Sequence, residues 1–452
     1  MGTLTNVAFL VGGILLGVLA LIGVLDVVRG TPVEHVRVPT APGDASTASE
    51  DARPPAVDEP LFRDTVELLT RTTLRPGHAI AVFANGDQTY PALWDDLRGA
   101  RRSITLQMYY CKTGRMADTL REVLEERAEA GIAVYFLYDA FGSSLPKSYF
   151  ASLRSSGVKV CPFRPLEVLS VHKLQHRAHI RVVVVDGAVG YTGGFGIDDK
   201  WYGTGRQKDQ WRDTNVRFTG PAVRQLQATF AACWAEATGD LLTGPLLFPP
   251  DGAADPPGAA RDQHPPAADG ALAGLLHASP SIGSTEAERF FALSIASARR
   301  TLYITNSYFV PDRAFRRMIA DAARRGVDTR VLTAGPETDV RSTLYAGRAR
   351  YAELLRGGVR IYEYQPTMMH AKSIVVDGRW GSVGSMNADN RSMSFNEESN
   401  LFALDADFAV RLERLFLEDL EHAKEIRLEE FRRRPWTTRV VEHGAHLLWR
   451  VL

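Results

Sequence analysis

The feature that most limits what this chain can fold into is a repeat. His179-Ile180-Arg181-Val182-Val183-Val184-Val185-Asp186-Gly187 and His370-Ala371-Lys372-Ser373-Ile374-Val375-Val376-Asp377-Gly378 both read His-x-basic-x4-Asp-Gly. Each stands at the same place in a longer recurring pattern. Ala100-Arg101-Arg102-Ser103 leads into an apolar run, as does Ala298-Arg299-Arg300-Thr301; Gly131 and Gly326 each precede a second such run, and Gly157 and Gly358 a third. A glycine suits the residue just past a helix, and a β-branched run suits a buried strand. Strands alternating with helices argue a mixed α/β sheet, and a repeat this long is a domain duplication, not a solenoid. The expected fold is therefore α/β: two pseudo-symmetric lobes, each a mixed β-sheet flanked by helices.

Val7 to Leu25 carries no charge. A helix over that run rises about 28 Å, enough to cross the hydrocarbon core of a bilayer. Met1 to Asn6 holds no Lys or Arg, which counts against a cleaved signal peptide. The expected organisation is a transmembrane anchor (1–29), a flexible tether (30–60), a first lobe (61–247), a Pro-rich linker (248–274), a second lobe (275–430) and a basic and apolar tail (431–452). Arg29 follows the span, so the positive-inside rule puts the lobes on the cytoplasmic side of the cell membrane. Lys+Arg and Asp+Glu both number 53, so no global basic field calls for a nucleic-acid partner. Cys111, Cys161 and Cys233 are scattered and odd in number, which builds neither a disulfide framework nor a zinc pattern.

The paired motif carries the chemistry. Side chains alternate along a strand, so each histidine and the basic residue two positions on share a face and can present an imidazole and a cation to one phosphate. Asp186 and Asp377 fall at odd spacing beside a glycine turn and are expected to anchor the strand end. Small-residue loops follow, Tyr191-Thr192-Gly193-Gly194 and Gly381-Ser382-Val383-Gly384-Ser385-Met386-Asn387. Such loops let backbone N–H groups approach phosphate oxygens. His172 and His176 have no aspartate seven residues on and read as loop or pocket-edge residues.

A duplicated His-x-Lys-x4-Asp pattern with a Gly-Gly or Gly-Ser loop resembles the phospholipase D superfamily, and most closely the bacterial cardiolipin synthases. The closer resemblance rests on Trp211-Arg212-Asp213-Thr214-Asn215-Val216-Arg217 with Gly220-Pro221-Ala222-Val223, on Asn306-Ser307-Tyr308-Phe309-Val310-Pro311-Asp312, on Asn390-Arg391-Ser392, and on Asn396 to Asn400 around Glu398. It spans about Leu61 to Leu420. It implies a membrane phosphatidyltransferase that moves a phosphatidyl group between phosphatidylglycerol molecules through a phosphohistidine, with other phospholipids as possible substrates and neither cofactor nor metal. The implied catalytic residues are His179, Arg181, Asp186, His370, Lys372 and Asp377. His179 is then the nucleophile and His370 the acid, while Arg181 and Lys372 neutralise the phosphoryl oxygens. Gly194, Ser385 and Asn387 bind phosphate. Asp213 and Glu398, in matching places after the two motifs, hold the imidazoles, Asp213 being the partner of His179. Two positions depart from the family. Arg181 stands where it has lysine, and Gly196 where it has asparagine. Two alternatives follow: a hydrolytic phospholipase D or phosphodiesterase, and a weakly active or non-catalytic membrane scaffold whose first half-site has decayed.

Overall fold

A computed structural model describes residues 31–39, 53–165, 177–250, 270–280 and 283–447, together with Gly13 and Gly17. The first half of the chain supplies β1 (Arg75–His78), β2 (Ile80–Ala84), β3 (Ser103–Met108), β4 (Ala133–Asp139), β5 (Lys159–Phe163), β6 (Val182–Val185), β7 (Val189–Gly193) and β8 (Thr214–Thr219). The second half supplies β9 (Ala271–Ala278), β10 (Thr301–Asn306), β11 (Asp328–Ala334), β12 (Arg360–Tyr364), β13 (Ser373–Val376), β14 (Trp380–Gly384), β15 (Glu398–Leu404) and β16 (Ala423–Ile426). They form two mixed sheets, ordered β2-β8-β7-β6-β3-β4-β5 and β1-β9-β15-β14-β13-β10-β11-β12-β16.

The duplication is exact in plan. In each sheet three strands run parallel, β3-β4-β5 and β10-β11-β12. The remaining strands of the repeat pair antiparallel, β6, β7, β8 and β2 in the first lobe and β13, β14, β15 and β9 in the second. The parallel strands are covered on both faces, which is why Ile104, Leu106, Val134, Phe136 and Leu137 read as apolar runs and are all buried. Helices pack on each sheet, and the cores merge where the lobes meet.

One boundary moves. The helix α1 (Pro60–Thr70) and β1, expected to open the first lobe, belong to the second. Phe62 meets Trp380 edge to face at 5.1 Å, and Val66 and Leu74 lie in one core with Phe290 and Ile304. The amphipathic face of α1 demanded burial, but nothing local specified which lobe would cover it.

Both motifs end in the same device. Asp186 and Gly187 have φ of 56° and 67°, and Asp377 and Gly378 have 54° and 63°. Ala188 N–H donates to Val185 O at 3.0 Å, and Arg379 N–H to Val376 O at 3.1 Å. These are primed hairpin turns, whose two positive φ values Asp-Gly tolerates. The Asp186 carboxylate accepts from the backbone N–H groups of Arg101, Arg102 and Ser103; that of Asp377 accepts from Arg299, Arg300 and Thr301. Each aspartate ties its hairpin to the start of the neighbouring strand, away from the histidines.

Among the described residues no helix is long and apolar enough to cross a membrane. The expected anchor lies outside them apart from Gly13 and Gly17, as do His172, His176 and much of the tether and linker.

Candidate active site

The two histidines do not stand on strands. β6 begins at Val182 and β13 at Ser373, so His179 with Arg181 and His370 with Lys372 occupy the extended segments that lead into them. These lead-ins are where the lobes join. Ala178 bridges Glu397 and Met369 bridges Arg212, both in parallel. Glu397 N–H donates to Arg177 O at 2.9 Å, Arg212 N–H to Met368 O at 2.9 Å, and His370 N–H to Arg212 O at 2.7 Å. One residue past each bridge, a histidine of one lobe faces a carboxylate of the other.

The expected pairing of His179 with Asp213 is thereby corrected: the pairs cross. His179 Nδ1 lies 3.1 Å from both carboxylate oxygens of Glu398, and His370 Nδ1 lies 2.9 Å from Asp213 Oδ2. Matching sequence positions put each carboxylate after its own lobe's motif, but the parallel bridges bring the lead-ins to the opposite lobe's carboxylates. A proton donated from Nδ1 to the carboxylate leaves the lone pair on Nε2, so each imidazole is held in one orientation and one tautomer.

The carboxylates are supported by different means. Glu398 accepts from Ser385 Oγ at 2.5 Å and Asn396 Nδ2 at 3.3 Å. Asp213 accepts from its neighbour's amide, Thr214 N–H, at 2.8 Å and from the indole Nε1 of Trp201 at 2.9 Å. Gly194 stands where the second lobe has Ser385, and any Cβ there would overlap the Asp213 carboxylate. Gly196 stands where the second lobe has Asn387, and a Cβ there would lie 2.9 Å and 3.0 Å from two carbons of the Trp201 ring. The indole thus fills the place of the missing side chain and supplies a donor to the same Asp213 oxygen that faces His370. No motif pointed to Trp201. The signal available was a lost side chain at 196 followed by a large aromatic within one turn of chain.

The cations are set by backbone carbonyls. Arg181 donates Nε to Phe195 O at 3.1 Å and Nη1 to His179 O at 2.7 Å. Lys372 Nζ donates to His370 O at 2.6 Å and lies 3.1 Å from both ring nitrogens. Among the described residues the Asn387 side-chain oxygen is buried without a hydrogen-bond partner. Tyr109 meets the His179 ring edge-on at 4.9 Å, while Trp211 and Tyr308 flank His370 at 5.0 Å and 6.3 Å. Among the described residues no group of three His, Cys, Asp or Glu side chains could hold a metal ion.

Burial governs the electrostatics. His179, Arg181, Asp213, His370, Lys372 and Glu398 are all less than a tenth exposed. Desolvation, then the nearby cations, hold both imidazoles well below their ordinary range. Burial also lowers Lys372 to about 7 and raises Asp213 to about 6 and Glu398 to about 8. Neutral imidazoles among desolvated cations form a site whose positive charge an anionic phosphodiester offsets.

A family model described as cardiolipin synthase, PLD-like domain, matches residues 293–420. The chain is similar to the cardiolipin synthase of Geobacillus kaustophilus, 36% identical over 371 residues that cover 81% of this chain and 71% of that one. It is similar to cardiolipin synthase A of Pseudomonas fluorescens, 35% identical over 367 residues covering 80% and 73%. Its fold is that of the crystal structure of a Haemophilus influenzae phosphatidylserine synthase, with a TM-score of 0.64 at 13% identity, covering 87% of this chain and 100% of that one.

Proposed function

The chain belongs to the cardiolipin synthase family of phosphatidyltransferases, and from that premise we propose that it moves a phosphatidyl group from one phosphatidylglycerol to the glycerol hydroxyl of another, releasing glycerol, through a phosphohistidine. The observation that carries this reading is the crossed pair of histidines, each with Nδ1 on a buried carboxylate of the other lobe.

The geometry supports the following chemistry. Neutral His179 attacks phosphorus through Nε2 while the bond to the glycerol oxygen breaks. His370, protonated once the phosphodiester anion is bound, gives its proton to the leaving oxygen. A second phosphatidylglycerol then passes its hydroxyl proton back to His370 and attacks phosphorus, the N–P bond breaks, and His179 is regenerated. Arg181 and Lys372 neutralise the phosphoryl oxygens, Asn387 adds a donor, and Ser385 spends its hydroxyl proton on Glu398. The roles of the histidines are those the family resemblance implies, and burial raises both of their carboxylate partners above the ordinary range. Asp186 and Asp377 hold the motif strands and touch no reacting atom. The Val7–Leu25 run keeps the enzyme at the cell membrane where both substrates reside, with the lobes on the cytoplasmic side.

The test is the membrane-reconstituted protein incubated with phosphatidylglycerol labelled in its phosphatidyl part and quenched in mid-reaction. Cardiolipin and a covalently labelled protein are expected, the label disappearing in His179→Ala. Phosphatidic acid without cardiolipin would sink the synthase reading, and label surviving in His179→Ala would reverse the histidine roles.

A further inference from the structure

Beside the catalytic groups lies a second set of cations that the mechanism does not use. Lys200 sits in a short turn, Asp199–Trp201, whose capping residue Asp198 accepts the Lys200 N–H at 3.1 Å. Its side chain turns inward against three aromatic rings. Nζ is 3.6 Å from the centre of Trp211, 4.2 Å from that of Tyr110 and 4.8 Å from that of Trp201, and it donates to the Tyr110 hydroxyl at 3.0 Å. Lys112 approaches the same tyrosine, its Nζ 5.1 Å from the ring centre. The two lysines are held in register by the backbone: Ile197 N–H donates to Tyr110 O and Lys112 N–H to Ile197 O, both at 2.8 Å.

Two ammonium groups gather on one phenol, and the carboxylates nearby, Asp198 and Asp339, favour the charged form of Lys112. Asp198 stands 3.8 Å from Lys200, a loose pairing, and Asp339 across the mouth is engaged by the Tyr308 hydroxyl at 2.9 Å. Lys200 is mostly covered, with a fifth of its side chain exposed. A charge-assisted hydrogen bond made there is stronger than one made in open solvent. The Trp211 ring contacts both Lys200 and His370, its centre 3.6 Å from Lys200 Nζ and 5.0 Å from the centre of the His370 ring. Lys200 is close enough for its charge to depress the His370 imidazole.

We infer that Lys200 and Lys112 form a second anion subsite that takes the phosphodiester of the acceptor phospholipid. This rests on the transfer reading above. The acceptor hydroxyl must reach the phosphohistidine while Arg181 and Lys372 are occupied by the phosphoryl group being transferred. The acceptor's own phosphate is three carbons from that hydroxyl and needs different cations. A glycerol bridge with its ester oxygens covers a gap of the order set by the Trp211 ring. Water has no such phosphate, so the subsite favours transfer to lipid over hydrolysis.

The test uses the full-length protein in phosphatidylglycerol vesicles, with Lys200→Glu, Lys112→Glu and the conservative Lys200→Arg. The measured quantity is the ratio of cardiolipin to phosphatidic acid formed, with thermal unfolding recorded for each variant. Loss of one charge-assisted contact is expected to lower the ratio about tenfold in each Glu variant, with Lys200→Arg close to wild type. Lys112 is exposed, so its substitution keeps the question open to an answer should Lys200→Glu unfold. A ratio unchanged in both Glu variants, even with total turnover reduced, overturns the subsite while leaving the transferase reading intact. A wild-type protein that makes phosphatidic acid alone overturns both.

Discussion

The two half-sites share a backbone plan and differ in what fills it. In the second, Ser385 holds Glu398, Lys372 lies against His370 and Asn387 follows Ser385 by two residues; in the first, Gly194, Arg181 and Gly196 stand in the same places. Read position by position, the first half-site has lost two polar side chains. Read in space, it has been rebuilt. The room left at Gly194 and Gly196 is taken by a carboxylate and an indole, and the indole N–H gives Asp213 the donor that Ser385 Oγ gives Glu398. Because the pairs cross, the rebuilt support in the first lobe orients the second lobe's histidine. A half-site is therefore not a unit of function here, and decay of one motif would disable the other lobe's imidazole.

The strongest way to break that comparison is to remove the carboxylates one at a time. Asp213→Asn and Glu398→Gln should each lower phosphatidyl transfer by about a hundredfold or more, since each leaves an imidazole with the wrong partner on Nδ1. The crossing makes a sharper claim. In ¹⁵N spectra of histidine-labelled protein, Asp213→Asn should displace the ring signals of His370, and Glu398→Gln those of His179. The reverse assignment would return each histidine to its own lobe's carboxylate and remove the basis of the comparison.

Next in size is the exchange at Gly196. Gly196→Asn places a side chain against the Trp201 ring and the Tyr110 carbonyl, and such overpacking should cost about 1–3 kcal/mol of stability, read as a lowered Tm. Combining it with Trp201→Val opens the space, and the double variant should unfold at a higher temperature than Gly196→Asn alone. If the two changes merely add, the indole and the missing side chain are independent, and the rebuilding account fails.

How much of this was legible in the chain follows from how far each contact reaches. The paired motifs, the parallel strands and the strand-end aspartates depend on local periodicity and turn chemistry, so the residues named them. Both histidines, both cations and both carboxylates were also named. The pairing of histidine with carboxylate was not, because it is decided by the bridges Ala178–Glu397 and Met369–Arg212, whose partners are far apart in sequence. The same reason hid the transfer of α1 and β1 to the second lobe. Trp201 escaped because a large aromatic in a loop carries no spacing rule, and its role exists only beside a glycine that reads as a loss.

A subtler difference between the lobes is acid sensitivity. Trp201→Phe keeps the ring but removes the N–H, which lowers the pKa of Asp213 against the burial that raises it to about 6. Without that donor the carboxylate protonates at higher pH. The acid limb of the kcat/KM profile should therefore move up by about one pH unit, the equivalent of one hydrogen bond to a charged group, with the alkaline limb in place. Ser385→Ala should act in the same direction on Glu398, already pushed up to about 8. If Trp201→Phe lowers activity equally at all pH values, the indole is packing alone.

The smallest effect is expected where the sequence looks most altered, at Arg181. Lysine there keeps the positive charge, and the second lobe displays what it would do: Lys372 Nζ donates to His370 O at 2.6 Å, as Arg181 Nη1 donates to His179 O at 2.7 Å. What lysine cannot keep is the second contact, Arg181 Nε to Phe195 O at 3.1 Å, because an ammonium lacks the planar fork that reaches two carbonyls at once. Arg181→Lys should thus lose one neutral-acceptor hydrogen bond of about 1 kcal/mol, and kcat/KM for phosphatidylglycerol should fall about fivefold. A large gain in kcat/KM would reverse the argument, since it would mean that the guanidinium obstructs a site built for lysine and that the first half-site had decayed. A fall of a few fold means instead that arginine, glycine and tryptophan were fitted to one another around Asp213.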